Sequence, residues 1–208
     1  MAIDPLDENK LAEATRKQAA RDPDLAGVVQ RYGLPPMWSR PPGFATLIRI
    51  ILEQQVSLAS AQAAFHRLEA RLGEVSPRGF LSLEDAELKA IGFSRQKSHY
   101  SRLMAEELAA GRLDLDGLVE QEDDQVRARL MELKGIGRWS ADIYLLMALR
   151  RADIWPRSDL ALVNAVTHLK SLAQPPSPEE FERIGEAWRP WRSVAARLAW
   201  FEYLGGKG

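Results

Sequence analysis

Apolar residues recur at helical spacing along almost the whole chain, and this spacing limits the possible folds more than any other feature. Phe44, Leu47, Ile48, Ile51 and Leu52 fall at positions i, i+3, i+4, i+7 and i+8, which places them on one face of a helix. No segment alternates apolar and polar residues with period two between turn residues, so no strand is predicted. The sequence therefore predicts an all-α protein of roughly nine to eleven helices, at ~11–12 residues per helix.

Proline clusters at 34–43 and 174–178 interrupt the helical pattern. At ~150 residues per domain, a length of 208 residues corresponds to one domain or two small ones. We predict a central helical domain over residues 43–151. Residues 1–42 and 152–208 are predicted to form a second helical subdomain from both termini, and the two are expected to flank a cleft.

The composition excludes several classes of site. The chain has no cysteine, which rules out a disulfide scaffold, a thiolate zinc site and an iron–sulfur cluster. His66, His99 and His168 do not have the spacing of metal ligands. The first ten residues lack the order of a signal peptide, and no apolar run reaches the ~18 residues of a membrane span. We therefore expect a cytoplasmic location.

The charge balance excludes a globally basic nucleic-acid binder but permits a local basic surface. Twenty-eight Lys and Arg residues against 29 Asp and Glu residues give a net charge of −1. Acids concentrate between positions 106 and 124, whereas four arginines and one acid lie between positions 183 and 197. This polarity could turn one basic face toward phosphates, or these residues could be ordinary solvated helix surfaces.

The sequence Leu-Lys-Gly-Ile-Gly-Arg-Trp-Ser-Ala, which starts at position 133, indicates a tight turn between two helices. Gly135 and Gly137 permit unusual backbone angles, and Ile136 between them is expected to plug into the core. The amides of Gly137, Trp139 and Ser140 would then face outward at a helix N-terminus, which is an anion site suited to a phosphate. The alternative is an ordinary helix–helix turn in which glycine serves as a C-cap.

An aspartate follows the hairpin by some twenty residues. Ser158 and Asp159 precede a helical run that starts at Leu160, so either one could be a simple N-cap. The helix dipole and the free amides favour a charged carboxylate there.

Together these features resemble the DNA glycosylase superfamily that is named for a helix-hairpin-helix, a Gly/Pro-rich loop and an aspartate. The C-terminal motif is similar to that of the 3-methyladenine DNA glycosylase II branch. The resemblance covers residues 43–205. The supporting motifs, besides the hairpin, are Gln54-Gln55-Val56-Ser57, Gly92-Phe93-Ser94-Arg95-Gln96-Lys97, Trp155-Pro156-Arg157-Ser158-Asp159 and Trp188-Arg189-Pro190-Trp191-Arg192-Ser193 followed by Trp200.

The resemblance implies a role for each matched position. Asp159 would be the catalytic carboxylate, Trp139 and Trp200 would line the base pocket, and Gln55 would be the wedge that fills the gap left by an extruded base. Trp155, Trp188 and Trp191 are interpreted as structural, and so is Gln54. The residues expected to contact DNA are Gln55, Lys134, Gly135, Gly137, Arg138 and Ser140.

The resemblance also implies that the main-chain carbonyls of Met131, Leu133 and Ile136 could hold Na⁺ or K⁺, with no other cofactor required. Trp139 stands where bifunctional relatives carry their lyase lysine, which favours a monofunctional enzyme. The loop before Asp159 departs from the family pattern because it contains Pro156 but no glycine.

The predicted function is a monomeric DNA glycosylase that removes alkylated purines such as 3-methyladenine from double-stranded DNA. Two alternatives stay open: a non-catalytic helix-hairpin-helix DNA-binding module, and a bifunctional glycosylase/lyase for oxidised bases. We expect no membrane association.

Overall fold

The computed structural model describes residues 5–207, which form two compact units. Residues 40–144 form one, called here the hairpin unit. The described residues up to 39 and from 145 onward form the other, called the terminal unit. The sequence placed these boundaries at 42/43 and 151/152, a few residues later in each case. Positions 1–4 and 208 of the predicted second subdomain lie outside the described residues.

The hairpin unit is built from seven α-helices and one short 3₁₀ helix among its described residues. They are α3 (Phe44–Glu53), α4 (Leu58–Leu72), α5 (Pro77–Leu81), α6 (Asp85–Ile91), α7 (Arg95–Ala109), a 3₁₀ helix (Asp116–Glu120), α8 (Asp123–Met131) and α9 (Arg138–Ile143). The α3 helix carries the predicted stripe, and its residues Leu47, Ile48 and Ile51 are fully buried. It packs against α4, α7 and α9. Each such side chain contributes roughly 1.5–3 kcal/mol on burial.

The terminal unit combines helices from both ends of the chain. They are α1 (Glu8–Arg21), α2 (Pro23–Tyr32), α10 (Leu160–Leu169), α11 (Pro178–Glu186) and α12 (Arg192–Tyr203). The α12 helix is the centre of this unit: every residue of it from Ser193 to Phe201 is buried, and it packs against α1, α2 and α10.

A buried arginine joins three segments of the terminal unit. The Arg197 guanidinium donates to the carbonyl oxygens of Met37 at 2.9 Å, Ser193 at 3.1 Å and Leu146 at 2.9 Å. Burial lowers the pKa of Arg197 to about 10. Met37 lies in the proline-rich segment that precedes α3. The bond to its carbonyl therefore anchors that segment to α12.

The prediction of an all-α chain is confirmed: residues 5–207 contain helices and loops but no strand. The predicted helix number is too low, because the described chain contains twelve α-helices, one 3₁₀ helix and one π-helix, Tyr144–Ala148. The helices α5, α6 and α9 have five to seven residues, well under the average length used for the estimate. In the part of the chain that is described, no helix is long and apolar enough to cross a membrane.

Candidate functional site

The predicted hairpin is present between α8 and α9. The Leu133 amide donates to the Leu130 carbonyl, and the Ile136 amide donates to the Leu133 carbonyl, both at 3.1 Å. Leu133 and Ile136 are 6% and 4% exposed. The expectation that Ile136 plugs the turn into the core is thus confirmed, and its burial anchors the exposed part of the turn.

The two glycines of the hairpin meet different requirements. Gly135 has φ +88°, and a Cβ added there would lie 2.5 Å from Cδ2 of Tyr100. Gly137 has φ −96° and would meet nothing within 4 Å. Gly135 is therefore required by the fold, whereas the bare backbone at Gly137 faces open space, where a large anion can approach.

Gln54 connects the end of α3 to the hairpin. Its side-chain amide donates to the Gly135 carbonyl and to the Ser140 hydroxyl oxygen, both at 2.9 Å. Ser140 is only 2% exposed. Gln54 is therefore structural, as expected. The Ser140 hydroxyl accepts from Gln54 and so belongs to the internal support of the hairpin.

The outer surface of the hairpin is basic. Lys134, Gly137 and Arg138 are exposed, and Trp139 is half-buried. The first turn of α9 begins at Arg138, and amides in the first turn of a helix have no intrahelical partner. Exposed cations beside such amides form a surface that favours an anionic ligand.

A buried carboxylate under this surface was missed in the sequence. Asp142 is 1% exposed, and its Oδ1 lies 2.7 Å from Nε of Arg127. Its Oδ2 lies 3.7 Å from Nε of Arg138. The i, i+4 spacing of Arg138 and Asp142 was the available signal. Asp142 thus holds two arginines at the base of the hairpin.

The turn that carries Gln55 follows α3. Gln55 is exposed and has φ +57°, a left-handed conformation that costs a non-glycine residue about 1–2 kcal/mol. The Lys97 ammonium donates to the carbonyls of Leu52 at 2.7 Å and Gln54 at 2.9 Å, on either side of the end of α3. Burial lowers the pKa of Lys97. The predicted wedge thus lies on a strained turn that a charged side chain supports.

Asp159 belongs to the terminal unit, where it is the N-cap of α10. One carboxylate oxygen accepts a hydrogen bond from the Leu162 amide at 2.6 Å, and the residue is 8% exposed. The Asp159 amide donates to the Pro156 carbonyl at 3.1 Å, which closes a tight turn. No residue of this turn has a positive φ, so the turn forms without glycine. Leu160, directly after the carboxylate, is 78% exposed.

The C-terminal motif holds the loop that leads to Asp159. The Arg192 guanidinium donates to both carboxylate oxygens of Asp153, at 2.9 and 3.0 Å, and Arg189 donates to Asp153 at 2.9 Å. The Ser193 hydroxyl accepts from the Ile154 amide at 2.9 Å. Sequence reasoning did not find this support, because nothing local links position 153 to position 192.

The same contacts settle the basic run between positions 183 and 197. Arg183 pairs with Glu180, Arg189 and Arg192 pair with Glu186 as well as with Asp153, and Arg197 is buried on carbonyls. These charges are engaged within the terminal unit, so the run is not a free phosphate-binding face.

The tryptophans divide into structural residues and pocket candidates. Trp155 stacks on Phe181 with ring centroids 4.7 Å apart and packs edge-on against Trp188, so both tryptophans are structural, as predicted. Trp191 lies beside the Lys17 ammonium. Trp200, on α12, is 8% exposed. Trp139 and Trp200 are the predicted pocket residues, and they lie in different units.

The carbonyls predicted to bind a cation belong to one tight turn. The Leu133 oxygen accepts from the Ile136 amide and still has a second lone pair for a cation. Met131 is exposed, whereas Leu133 and Ile136 are buried. Among the described residues, no group of three or more acidic or histidine side chains could hold a metal ion. Any cation here would therefore depend on main-chain oxygens.

A family model described as HhH-GPD superfamily base excision DNA repair protein matches residues 48–190. The chain belongs to this HhH-GPD superfamily. The matched range includes the Gln55 turn, the hairpin and Asp159, so the resemblance drawn from the motifs is confirmed.

Relatives of this chain include proteins named DNA-3-methyladenine glycosylases. This chain is 25% identical over 190 residues to DNA-3-methyladenine glycosylase 2 of Escherichia coli. The match covers 84% of this chain and 64% of that protein. The chain is 26% identical over 169 residues to a DNA-3-methyladenine glycosylase of Bacillus subtilis, which covers 76% of this chain. The chain spans 56% of the length of the Bacillus subtilis protein.

The fold is also that of a protein whose structure was solved in complex with DNA. The 3-methyladenine DNA glycosylase Mag1 of Schizosaccharomyces pombe, in complex with abasic DNA, superposes with a TM-score of 0.84 and 26% identity. The match covers 91% of this chain and 95% of the Mag1 chain. The HhH-GPD chain therefore has the fold of a protein that binds DNA from which a base is missing.

Proposed function

We propose that the protein is a monofunctional DNA glycosylase that hydrolyses the N-glycosidic bond of alkylated purines, of the 3-methyladenine type, in double-stranded DNA. The carboxylate of Asp159 carries the proposal. It is nearly buried and is held by the Leu162 amide at 2.6 Å, at the end of a loop that Arg192 and Ser193 secure. The names and folds of the relatives support the choice of lesion.

The chemistry follows from a fixed negative charge. Loss of a base leaves oxocarbenium character on the deoxyribose, and a preorganised carboxylate stabilises that cation. A purine alkylated on a ring nitrogen is already positively charged, so its departure needs no strong general acid. Water then adds to the sugar carbon and releases a proton to solvent, and the products are the neutral free base and an abasic site in the strand.

Recognition of the base is assigned to aromatic side chains. Indole faces attract a cationic purine with a cation–π contribution of about 0.5–2 kcal/mol beyond stacking. Trp139 and Trp200 are proposed for this role. Because Trp139 occupies the position of the lyase lysine in bifunctional relatives, strand cleavage is not expected.

Binding of the duplex is assigned to the hairpin unit. The amides near Gly137, with Lys134 and Arg138 exposed beside them, would bind the phosphate backbone. Gly135 would shape the turn, and Gln55 would occupy the space that the extruded base leaves. We further propose that Na⁺ or K⁺ binds the carbonyls of Met131, Leu133 and Ile136, and that the protein acts as a monomer.

The test is release of free base from methylated duplex DNA, resolved by chromatography, with wild type and Asp159→Asn. Asparagine is also a good N-cap, so this change removes the charge and preserves the cap of α10. We expect base release to fall at least about a hundredfold, the usual effect of losing one such electrostatic contact. Binding to an abasic-site analogue should persist.

The matched control is Asp7→Asn, the same substitution at the N-cap of α1, where Asp7 accepts from the Lys10 amide at 2.8 Å. This variant should release base at the wild-type rate. Turnover retained in Asp159→Asn would remove that carboxylate from the mechanism. Direct nicking by the wild type would favour the bifunctional alternative, and binding without base release would favour the non-catalytic module.

A further inference from the structure

The α7 helix supports both elements that are proposed to contact DNA. Lys97, in its first turn, donates to the carbonyls of Leu52 and Gln54 at the end of α3. Tyr100, three residues later on the same face, packs against the backbone of Gly135 in the hairpin. One short stretch of helix therefore contacts the turn that bears Gln55 and the hairpin as well.

The placement of Lys97 is unfavourable for α7 and favourable for the turn. A cation in the first turn of a helix is opposed by the helix dipole, and part of its hydration is lost here. Its ammonium instead lies at the negative C-terminal end of α3, where carbonyls lack intrahelical partners. Lys97 thus stabilises the C-terminal end of α3 and slightly destabilises the first turn of α7.

The position of the two acceptors explains what this contact does. They lie immediately before Gln55, whose left-handed backbone at φ +57° needs restraint from its surroundings. Gln54 accepts from Lys97 through its carbonyl and donates to the Gly135 carbonyl through its side chain. The turn is therefore held from α7 on one side and tied to the hairpin on the other.

We propose that Lys97 is a positioning residue for base extrusion, which holds the turn so that Gln55 enters the duplex as the base leaves it. This inference rests on the proposed function. It requires Lys97 to act through Gln55 and to matter only where a paired, stacked base must be displaced.

The experiment compares base release from methylated duplex and methylated single-stranded DNA by wild type, Lys97→Met, Gln55→Ala and the double variant. We expect Lys97→Met to lower the duplex rate by about tenfold to a hundredfold, the range for a lost charged hydrogen bond. The single-strand rate should change by less than about twofold, which also shows that the variant folds. In the Gln55→Ala background, Lys97→Met should have little further effect on the duplex rate.

The control is Lys89→Met, which removes an exposed lysine from α6 and should leave both rates unchanged. An equal loss on both substrates, or full additivity of the two substitutions, overturns the proposal. Amide hydrogen exchange of the free protein gives a reading that does not depend on activity: Lys97→Met should speed exchange at residues 53–57. If wild type released no base, the proposed function would fail, whereas unchanged exchange would refute the role of Lys97.

Discussion

Alanine substitutions at the two hairpin glycines should separate the fold of the turn from its contact with DNA. At Gly135 a new Cβ would lie 2.5 Å from Cδ2 and 2.8 Å from Cβ of Tyr100, with the backbone at φ +88°. At Gly137 a Cβ would meet nothing within 4 Å, and the backbone angles suit any residue. An added methyl group is therefore expected to disturb the fold at Gly135 but not to clash at Gly137.

The magnitude follows from these contacts. A left-handed alanine costs about 1–2 kcal/mol, and forced overpacking costs about 1–3 kcal/mol, so Gly135→Ala should lower the free energy of unfolding by about 2–5 kcal/mol. For a chain of this length, ~2–4 °C of melting temperature per kcal/mol gives a decrease of about 4–20 °C. Gly137→Ala should cost less, about 1 kcal/mol or below, because Gly137 is the N-cap of α9 and alanine is a poorer N-cap than glycine.

The assays are urea and thermal unfolding, together with affinity for a duplex that contains an abasic-site analogue. Gly137→Ala should fold normally and bind DNA more weakly, because its methyl group stands where a phosphate would approach the amides. Tyr100→Ala in the Gly135→Ala background should recover part of the lost stability by removing the clash. The reasoning is refuted if both alanine variants unfold at the wild-type midpoint, or if Gly137→Ala is the less stable of the two.

Two further outcomes are expected from the same surfaces. Affinity for duplex DNA should fall steeply with salt despite the net charge of −1, since exposed Lys134 and Arg138 would displace counterions from phosphates. The measurement is a titration between about 50 and 200 mM salt. A flat response would contradict phosphate docking at the hairpin. Gln55→Ala should reduce excision from duplex more than from single strands, because only the duplex leaves a gap to fill; equal losses on both would mean that Gln55 is not the wedge.

Several elements could be predicted because their causes are local. The helical stripe on α3 and the burial of Ile136 follow from the spacing of apolar residues around a turn. The N-cap position of Asp159 follows from an acid placed just before an apolar helical run. The helix number was underestimated because five-residue helices such as α5 leave almost no periodic signal.

The charged residues could not be assigned in the same way. Arg189 and Arg192 read as a basic surface until Asp153, more than thirty positions earlier in the chain, is seen beside them. Nothing in the sequence near Ser140 indicates that its hydroxyl accepts a hydrogen bond from Gln54. Charged and hydroxyl side chains do not recur with a helical or strand period. The adjacent sequence therefore does not reveal which residue each one contacts in the folded protein.

Local patterning was thus sufficient to establish a helical protein with a glycine hairpin and an aspartate at the start of a helix. Long-range packing established which groups are available: Lys97 is committed to the end of α3, Arg197 to buried carbonyls, and Lys134 and Arg138 are left exposed. The reason is physical. Secondary structure arises from interactions a few residues apart, whereas hydrogen bonds and ion pairs of side chains join any segments that the folded core brings within about 3 Å.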